Sequence, residues 1–269
     1  MDANLIRRVG AAFLFVPVLA ATVWWGGIPL LVCTASFVGV GTWELFRLFQ
    51  QKGACPFLWP GVLMGVGACV WFHEMGLRHV EGFLMLCTVG TLTTALIQRR
   101  GGASLRDAGA TLLGVLYVGL LGSAILLVRN LPLPGAAPLA LTVLASIWIM
   151  DTVAYFAGRA FGRTRPFVRI SPKKSVEGCI AGVFGAVGTV WIGALWIKVL
   201  LWSDILALGL IIGIGGQAGD FAESLLKRDA GVKDSSAIIP GHGGILDRFD
   251  SALFAFPLVY VYLVFRYGV

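Results

Sequence analysis

Four aspartates and four basic side chains are concentrated in one stretch of this 269-residue chain, between Ser224 and Asp250. The same stretch contains a Gly-His-Gly-Gly turn. Carboxylates can bind a hard divalent cation, and Lys and Arg side chains bind phosphate groups. These residue types therefore indicate chemistry on phosphorylated substrates.

The acidic residues have helical spacing. Asp220, Glu223 and Lys227 follow at i, i+3 and i+7, and they therefore line one helix face. Asp247 and Asp250 repeat the i, i+3 spacing at the start of the last apolar segment. Two carboxylate pairs on neighbouring helix ends can converge on Mg²⁺, which keeps open positions for substrate phosphates. The alternative is that these acids only neutralise nearby Lys and Arg residues, and the charge pattern does not distinguish the two.

A further acid, Asp151, lies inside an apolar segment and shares a helix face with Tyr155 and Arg159. An aspartate near the bilayer centre costs about 2.5 to 3.5 kcal/mol on insertion scales. We therefore expect Asp151 to face the helix bundle or a water-filled cavity. A structural hydrogen bond to a neighbouring helix explains the residue about equally well.

The segment Ser171–Gly178, with sequence SPKKSVEG, follows this acid. Ser171 is predicted to cap a helix whose first turn begins with Pro172. Lys173 and Lys174 would then lie beside a helix start, and both helix N-termini and lysines favour phosphate. This loop is therefore a second candidate phosphate site.

The elements that position these residues are apolar helices. With 58% hydrophobic and 13% charged residues and a mean hydropathy of +0.86, the chain lacks the polar surface of a soluble globule. A spanning helix needs about 20 mostly apolar residues. We predict an all-α polytopic membrane protein with about nine transmembrane helices and no separate soluble domain. The predicted spans are residues 9–25, 28–46, 56–72, 83–97, 107–128, 138–157, 179–201, 205–226 and 252–265.

The distribution of basic residues predicts the orientation. With the N-terminus in the cytoplasm, 17 of the 21 Lys and Arg residues fall on that side and 4 outside. The net charge of +7 is therefore mainly a signature of topology, and it does not indicate nucleic-acid binding. Residues 1–137 would supply about five N-terminal spans of a single membrane domain. Residues 138–269 would supply the catalytic spans, with cytoplasmic loops at 158–178 and 227–251.

Twelve positions carry a resemblance to a known family. They are Ser224, Lys227, Arg228, Lys233, Asp234, Pro240, His242, Gly243, Gly244, Asp247, Arg248 and Asp250. Their order, with Ser171–Gly178, the pair Trp43 and Glu44 and the number of spans, resembles the phosphatidate cytidylyltransferases, or CDP-diacylglycerol synthases. The resemblance covers most of the chain, although the first five spans are similar mainly in hydropathy.

The resemblance implies that the phosphate of phosphatidic acid attacks the α-phosphorus of CTP, giving CDP-diacylglycerol and pyrophosphate. The expected setting is a bacterial inner membrane with the active site in the cytoplasm, and the expected partners are CTP, phosphatidic acid and membrane lipid. A second cation and a homodimer are left open.

Roles for individual residues follow from the same resemblance. Asp220 and Asp247 are expected to bind Mg²⁺, with Asp250 and Glu223 as additional or outer acids. Phosphate contacts are expected from the basic residues Lys173, Lys174, Lys227, Arg228, Lys233 and Arg248. Further site residues are His242, Ser175, Ser224, Asp234, Gly243, Gly244 and Asp151.

Two features have plainer explanations. Glu44 can form an interfacial i, i+3 pair with Arg47. The Gly-His-Gly-Gly turn can bring backbone N–H groups to a phosphate or cytosine, or it can be a tight turn in which His242 bonds to backbone.

Glycines four residues apart, such as Gly209 and Gly213, indicate close packing of the seventh and eighth spans.

Other functional classes are less consistent with the sequence. A transporter or channel for an anionic substrate would explain acids in glycine-interrupted helices, but no inverted repeat is evident and the charges cluster on one side. A CDP-alcohol phosphotransferase should contain a D-G-x-x-A-R pattern, which is absent. A prenyl-phosphate nucleotidyltransferase or a sugar-phosphate transferase would share the electrostatics but not the twelve-position signature.

Overall fold

The regular elements of the computed structural model are helices. The structure describes residues 16–98, 105–236, 238 and 243–269, and this part of the chain contains no β-strand. The predicted all-α class is therefore confirmed. The helices are α1 (Val16–Trp25), α2 (Gly27–Gln51), α3 (Leu58–Met75), α4 (Val80–Ile97), α5 (Leu105–Gly114), α6 (Ala124–Arg129), α7 (Ala136–Phe161), α8 (Val176–Ala194), α9 (Trp202–Asp229) and α10 (Leu246–Tyr267).

Each of the nine predicted spans overlaps a helix, although α8 ends at Ala194 and not at residue 201. Residues 9–15 of the first predicted span lie outside the described residues. Leu105–Arg129 is one span, in which a π-helical segment, Val115–Leu120, lies between α5 and α6. Counting only described residues, seven helical segments are long and apolar enough to cross a membrane. The described part of α1 is shorter, and the last turn of α3 contains the polar residues His73 and Glu74. The polytopic architecture with about nine helical segments agrees with the prediction.

The start of α8 differs from the prediction. Its N-cap is Ser175, whose backbone is extended and whose hydroxyl accepts a hydrogen bond from the Gly178 N–H at 3.1 Å. Extended backbone and a short hydroxyl side chain are what an N-cap requires. Ser171 lies in a turn, where its carbonyl accepts from the Lys174 N–H at 3.2 Å. The prediction that Ser171 caps this helix is therefore wrong.

The chain divides into two compact units. The first contains the described residues up to Leu127 together with Asp229–Phe249, and the second contains Val128–Arg228 and Asp250–Val269. In the first unit, α3 meets the π-helical segment at glycines, because a Cβ added to Gly119 would lie 2.8 Å from the Gly65 Cα.

Helices α8 and α9 of the second unit also approach at glycines. A Cβ on Gly209 would lie 2.6 Å from the Val187 Cα, and one on Gly213 would lie 2.9 Å from the Val183 Cα. Two backbones come this close only where one side chain is missing. The predicted close packing of the seventh and eighth spans is confirmed.

A buried carboxylate joins the start of α9 to the end of α10 in the second unit. Asp204 is 0% exposed and accepts from the Leu201 N–H at 2.8 Å. It also accepts from the Tyr262 and Tyr267 hydroxyls, each at 2.7 Å, and from the Arg266 Nε at 2.9 Å. A buried charge is tolerated when it is paired and fully hydrogen-bonded, so this contact fixes the two helix ends together.

Candidate active site

Asp220, on α9, forms an ion pair in the second unit with Lys174 of the loop before α8. Its Oδ2 lies 2.5 Å from the Lys174 Nζ, and its Oδ1 accepts from the Ser224 hydroxyl at 3.3 Å. The ammonium group also lies 4.4 Å from the centre of the Phe221 ring. The helix α9 and the loop before α8 therefore bring one predicted metal ligand to one predicted phosphate-binding lysine.

Two further aspartates belong to this cluster. Asp250, on α10, interacts electrostatically with Asp220, Asp151 and Lys227. Asp151, on α7, is exposed, so it is not buried within the helix bundle. Three aspartates from three helices thus belong to one unit. The predicted convergence of the carboxylate pairs on Mg²⁺ stays a prediction.

Glu223 and Lys227 form an ion pair one turn apart on α9. The Glu223 carboxylate is completely buried, and the Lys227 side chain is 11% exposed. This pair is consistent with the alternative interpretation of the sequence, in which the acids neutralise nearby Lys and Arg residues. A metal role for Glu223 and a phosphate role for Lys227 stay predictions.

Arg228 and Glu177 hold the loop between α7 and α8. The Arg228 Nε donates to the Ile170 carbonyl at 3.2 Å. The Glu177 carboxylate accepts from the Arg163 N–H at 3.1 Å and from the Thr164 N–H at 3.1 Å. These contacts hold the loop that carries Lys174. Arg228 and Glu177 therefore influence the position of Lys174 through the loop.

Glu44, on α2, is the central residue of a second polar cluster, which lies in the first unit. The side chain is 0% exposed. Its Oε1 accepts from the Ser236 hydroxyl at 2.5 Å and from the Ile245 N–H at 3.0 Å. Its Oε2 accepts from the Ser235 hydroxyl at 3.2 Å and from the Leu246 N–H at 2.7 Å.

The expected interfacial pair between Glu44 and Arg47 is therefore wrong. The Arg47 guanidinium instead lies 5.2 Å from the centre of the Trp43 ring. The reason is geometric, because two hydroxyls and two backbone N–H groups surround the buried glutamate. Four hydrogen-bond donors stabilise a desolvated carboxylate better than a single flexible ion pair at an interface would.

Asp247 organises the same cluster from the first turn of α10. Its Oδ2 accepts from the Ser235 N–H at 2.9 Å, the Ser235 hydroxyl at 2.8 Å and the Gly244 N–H at 2.7 Å. Gly243 has φ of +79°, a left-handed conformation that favours glycine. The Gly244 N–H, predicted to approach a phosphate, is thus already used to shape the loop. A metal role for Asp247 stays a prediction.

The remaining predicted residues are placed as follows. Lys173, Lys233, Asp234 and Arg248 are exposed, and Ser175 is buried as the cap of α8. His242, Pro240 and Gly241 lie outside the described residues. Each unit thus contains part of the predicted set. Ser235 and Ser236 did not emerge from the sequence, where the only related signal is a glutamate inside an apolar span.

The donor atoms of the second unit suit a hard cation by type. Asp151, Asp220 and Asp250 offer only carboxylate oxygens, which Mg²⁺ prefers. Among the residues that the structure describes, no group of three or more His, Cys, Asp or Glu side chains is arranged to hold a metal ion. The Mg²⁺ site therefore stays a prediction.

Comparison with known proteins agrees with this chemistry. The family model of the cytidylyltransferase family matches residues 6–266. A phosphatidate cytidylyltransferase of Synechocystis sp. is 36% identical over 265 residues, covering 89% of each chain. A phosphatidate cytidylyltransferase of Bacillus subtilis is 30% identical over 269 residues, covering 98% of this chain and 97% of the relative.

The matched range, residues 6–266, extends over nearly the whole chain. The chain therefore belongs to the cytidylyltransferase family.

Proposed function

We propose that the protein is a phosphatidate cytidylyltransferase, which transfers CMP from CTP to phosphatidic acid. The family match over residues 6–266 carries the proposal, since the relatives from Synechocystis sp. and Bacillus subtilis bear that name. The clustered aspartates and Lys174 of the second unit support it, because they provide the charges that two phosphorylated substrates need. A transporter is not favoured by any of these relatives.

The chemistry is a substitution at phosphorus. An oxygen of the phosphatidate phosphate forms a bond to the α-phosphorus of CTP, the bond from that phosphorus to the bridging oxygen breaks, and pyrophosphate leaves. Such transfers are catalysed mainly by positioning and by neutralising charge. A phosphate monoester is already largely ionised near neutral pH, so the attacking group needs no strong base.

The residues of the second unit would divide this work. Asp220 and Asp250 would hold Mg²⁺, which when bound neutralises phosphate charge, and Asp151 would add to the negative charge of the cluster. Lys174, released from Asp220, would bind a phosphate group through its ammonium. Arg228 keeps the loop that carries Lys174 in place through the Ile170 carbonyl.

The direct test is an assay with purified protein. With Mg²⁺ and phosphatidic acid, we expect label from [α-³²P]CTP to enter the lipid phase, and label from [γ-³²P]CTP to remain in the aqueous phase. ATP, GTP and UTP should be poor donors. Absence of label from the lipid phase, in several detergents and in nanodiscs, would contradict the proposal.

We also infer that the charged loops face the cytoplasm of a bacterial plasma membrane. Support comes from the bias of basic residues toward one side and from bacterial relatives. In a background without native cysteines, Lys233→Cys should react with a membrane-impermeant maleimide only after the cells are opened. Labelling in intact cells would reverse the orientation.

A further inference from the structure

Glu44 joins two ends of one loop to a helix far away in the chain. Its hydroxyl donors, Ser235 and Ser236, lie 191 and 192 residues further along the chain. Its backbone donors, Ile245 and Leu246, lie 201 and 202 residues further along. One side chain of α2 therefore fixes where the loop leaves the preceding segment and where it enters α10.

The contact at Leu246 determines how α10 begins. Leu246 is the first residue of the helix, and N–H groups in a first turn have no partner within the helix. A negative charge at a helix N-terminus is favourable. Glu44 supplies that charge, and Asp247 and Asp250 follow within the first five residues of the same helix.

We propose that Glu44 is a positioning residue for nucleotidyl transfer, which sets the loop and the first turn of α10 so that their acidic and glycine residues have their working geometry. The inference rests on the proposed function, in which Asp250, near the start of α10, would hold Mg²⁺. Glu44 itself is completely buried and acts through Ser235, Ser236 and the N–H of Leu246.

The pattern of donors explains why the residue should be a glutamate. Each carboxylate oxygen faces one hydroxyl and one backbone N–H. In Glu44→Gln, either orientation of the amide would place its NH₂ group against the N–H of Ile245 or Leu246. Two donors cannot satisfy each other, and a buried donor left without an acceptor is unfavourable. Glu44→Asp keeps two acceptor oxygens on a shorter arm.

The loop leaves room for this carboxylate at Gly244. A Cβ added there would collide with the Ser235 hydroxyl oxygen and with the Glu44 Oε1. The same glycine donates its N–H to the Asp247 Oδ2 at 2.7 Å. Gly244→Ala should therefore disturb the Glu44 contacts from the loop side, and its effect should not add to that of Glu44→Gln.

A matched control exists at the other buried carboxylate. Asp204 is also 0% exposed and also accepts four hydrogen bonds, but it joins helix ends of the second unit. Asp204→Asn should lower the melting temperature as Glu44→Gln does. Measured well below both melting temperatures, Glu44→Gln should lower kcat/KM about 10- to 100-fold, whereas Asp204→Asn should change it less than about twofold.

Two readouts separate positioning from general stability. Glu44→Asp should recover part of the lost kcat/KM. Without any substrate, trypsin should cut more rapidly after the exposed Lys233 in Glu44→Gln than in wild type, as measured by mass spectrometry of the peptides. Asp204→Asn should leave that cleavage rate unchanged, because its contacts lie in the second unit.

The outcomes are distinct. If wild type does not form CDP-diacylglycerol, the proposed function fails, whereas the cleavage measurement still reports on Glu44. If wild type is active and Glu44→Gln keeps its kcat/KM and cleavage rate, the positioning role is refuted. Equal losses of activity in Glu44→Gln and Asp204→Asn would also refute it. If Glu44→Gln is not recovered folded, Ser236→Ala carries the same test, with an expected three- to tenfold loss for one donor.

Discussion

At the scale of single residues, the ion pair between Lys174 and Asp220 is the contact that best defines the candidate site. Two residues separated by a loop and a helix meet at 2.5 Å at the cytoplasmic end predicted for α9. The sequence identified both residues as site candidates but did not pair them. A contact between distant residues depends on the packing of α8 and α9, which residue spacing does not encode.

Asp220→Asn should abolish turnover, with a loss of at least about 100-fold, because phosphate transfer depends on charge at the site. The matched control is Asp229→Asn. The Asp229 side chain is 70% exposed and pairs with Lys52 at 3.4 Å, and exposed pairs contribute little. Activity with CTP and phosphatidic acid, with size-exclusion profiles to verify folding, measures the difference. Wild-type turnover in Asp220→Asn would remove it from the site.

Lys174→Gln should impair catalysis more than Lys173→Gln. Lys174 contacts Asp220 and the Phe221 ring, whereas its neighbour Lys173 is exposed. We expect kcat/KM for CTP to fall about tenfold or more for Lys174→Gln and about threefold or less for Lys173→Gln, since a charge-assisted contact in a partly buried site exceeds a screened one. Equal losses at the two positions would contradict the assignment.

At the scale of elements, helix ends were harder to predict than helices. Within the described residues, each predicted apolar segment overlaps a helix, but α10 begins at Leu246, six residues before the predicted start at residue 252. Its first turn contains Asp247, Arg248 and Asp250, so hydropathy does not reveal it. Asp247 accepts from the Gly244 N–H three residues earlier, and Glu44 accepts from the Leu246 N–H at the helix start. The second partner comes from tertiary structure, 202 residues away in the chain.

The revised start of α8 leads to a stability prediction. Ser175→Ala removes the hydroxyl that accepts from the Gly178 N–H and should lower the free energy of unfolding by about 1 kcal/mol. Ser171→Ala should change it by less than about 0.5 kcal/mol, because Ser171 does not cap the helix. Thermal unfolding of both variants in one detergent compares them. A larger effect at Ser171 would restore the original prediction.

The close approach of α8 and α9 leads to a second stability prediction. A Cβ at Gly209 would lie 2.6 Å from the Val187 Cα, so Gly209→Ala should destabilise the protein by about 1 to 3 kcal/mol. Gly188→Ala, on α8, is the control, because no atom lies within 4 Å of its added Cβ. It should leave the melting temperature unchanged or raise it. Similar destabilisation by both would mean that close packing is not the cause.

At the scale of the whole molecule, the proposed reaction predicts metal dependence. Incubation with EDTA should abolish CMP transfer, and Mg²⁺ should restore it, because two anionic substrates must be brought together at a cluster of aspartates. Asp250→Asn should require more Mg²⁺ for half-maximal activity. Full activity in excess EDTA would contradict a divalent cation in the reaction.

Composition was enough to predict a membrane protein, and residue order was enough to suggest its reaction. Neither could predict that Asp229–Phe249 belongs to the same compact unit as the residues up to Leu127. This arrangement depends on contacts such as those of Glu44 with Leu246, which connect segments 202 residues apart. Sequence patterns show which residues are spaced to share a helix face. They do not show which residues distant in the chain become partners.

The separation between Glu44 and its partners has a consequence for biosynthesis. Chains are made at about 5 to 20 residues per second, so Glu44 emerges from the ribosome roughly 10 to 40 s before Leu246. During that interval α2 carries an acidic side chain whose four donors have not yet been synthesised. The N-terminal helices can be inserted early, but the contacts of their unit are completed only after Leu246 has been synthesised. A prematurely terminated chain would present this incomplete unit to membrane proteases.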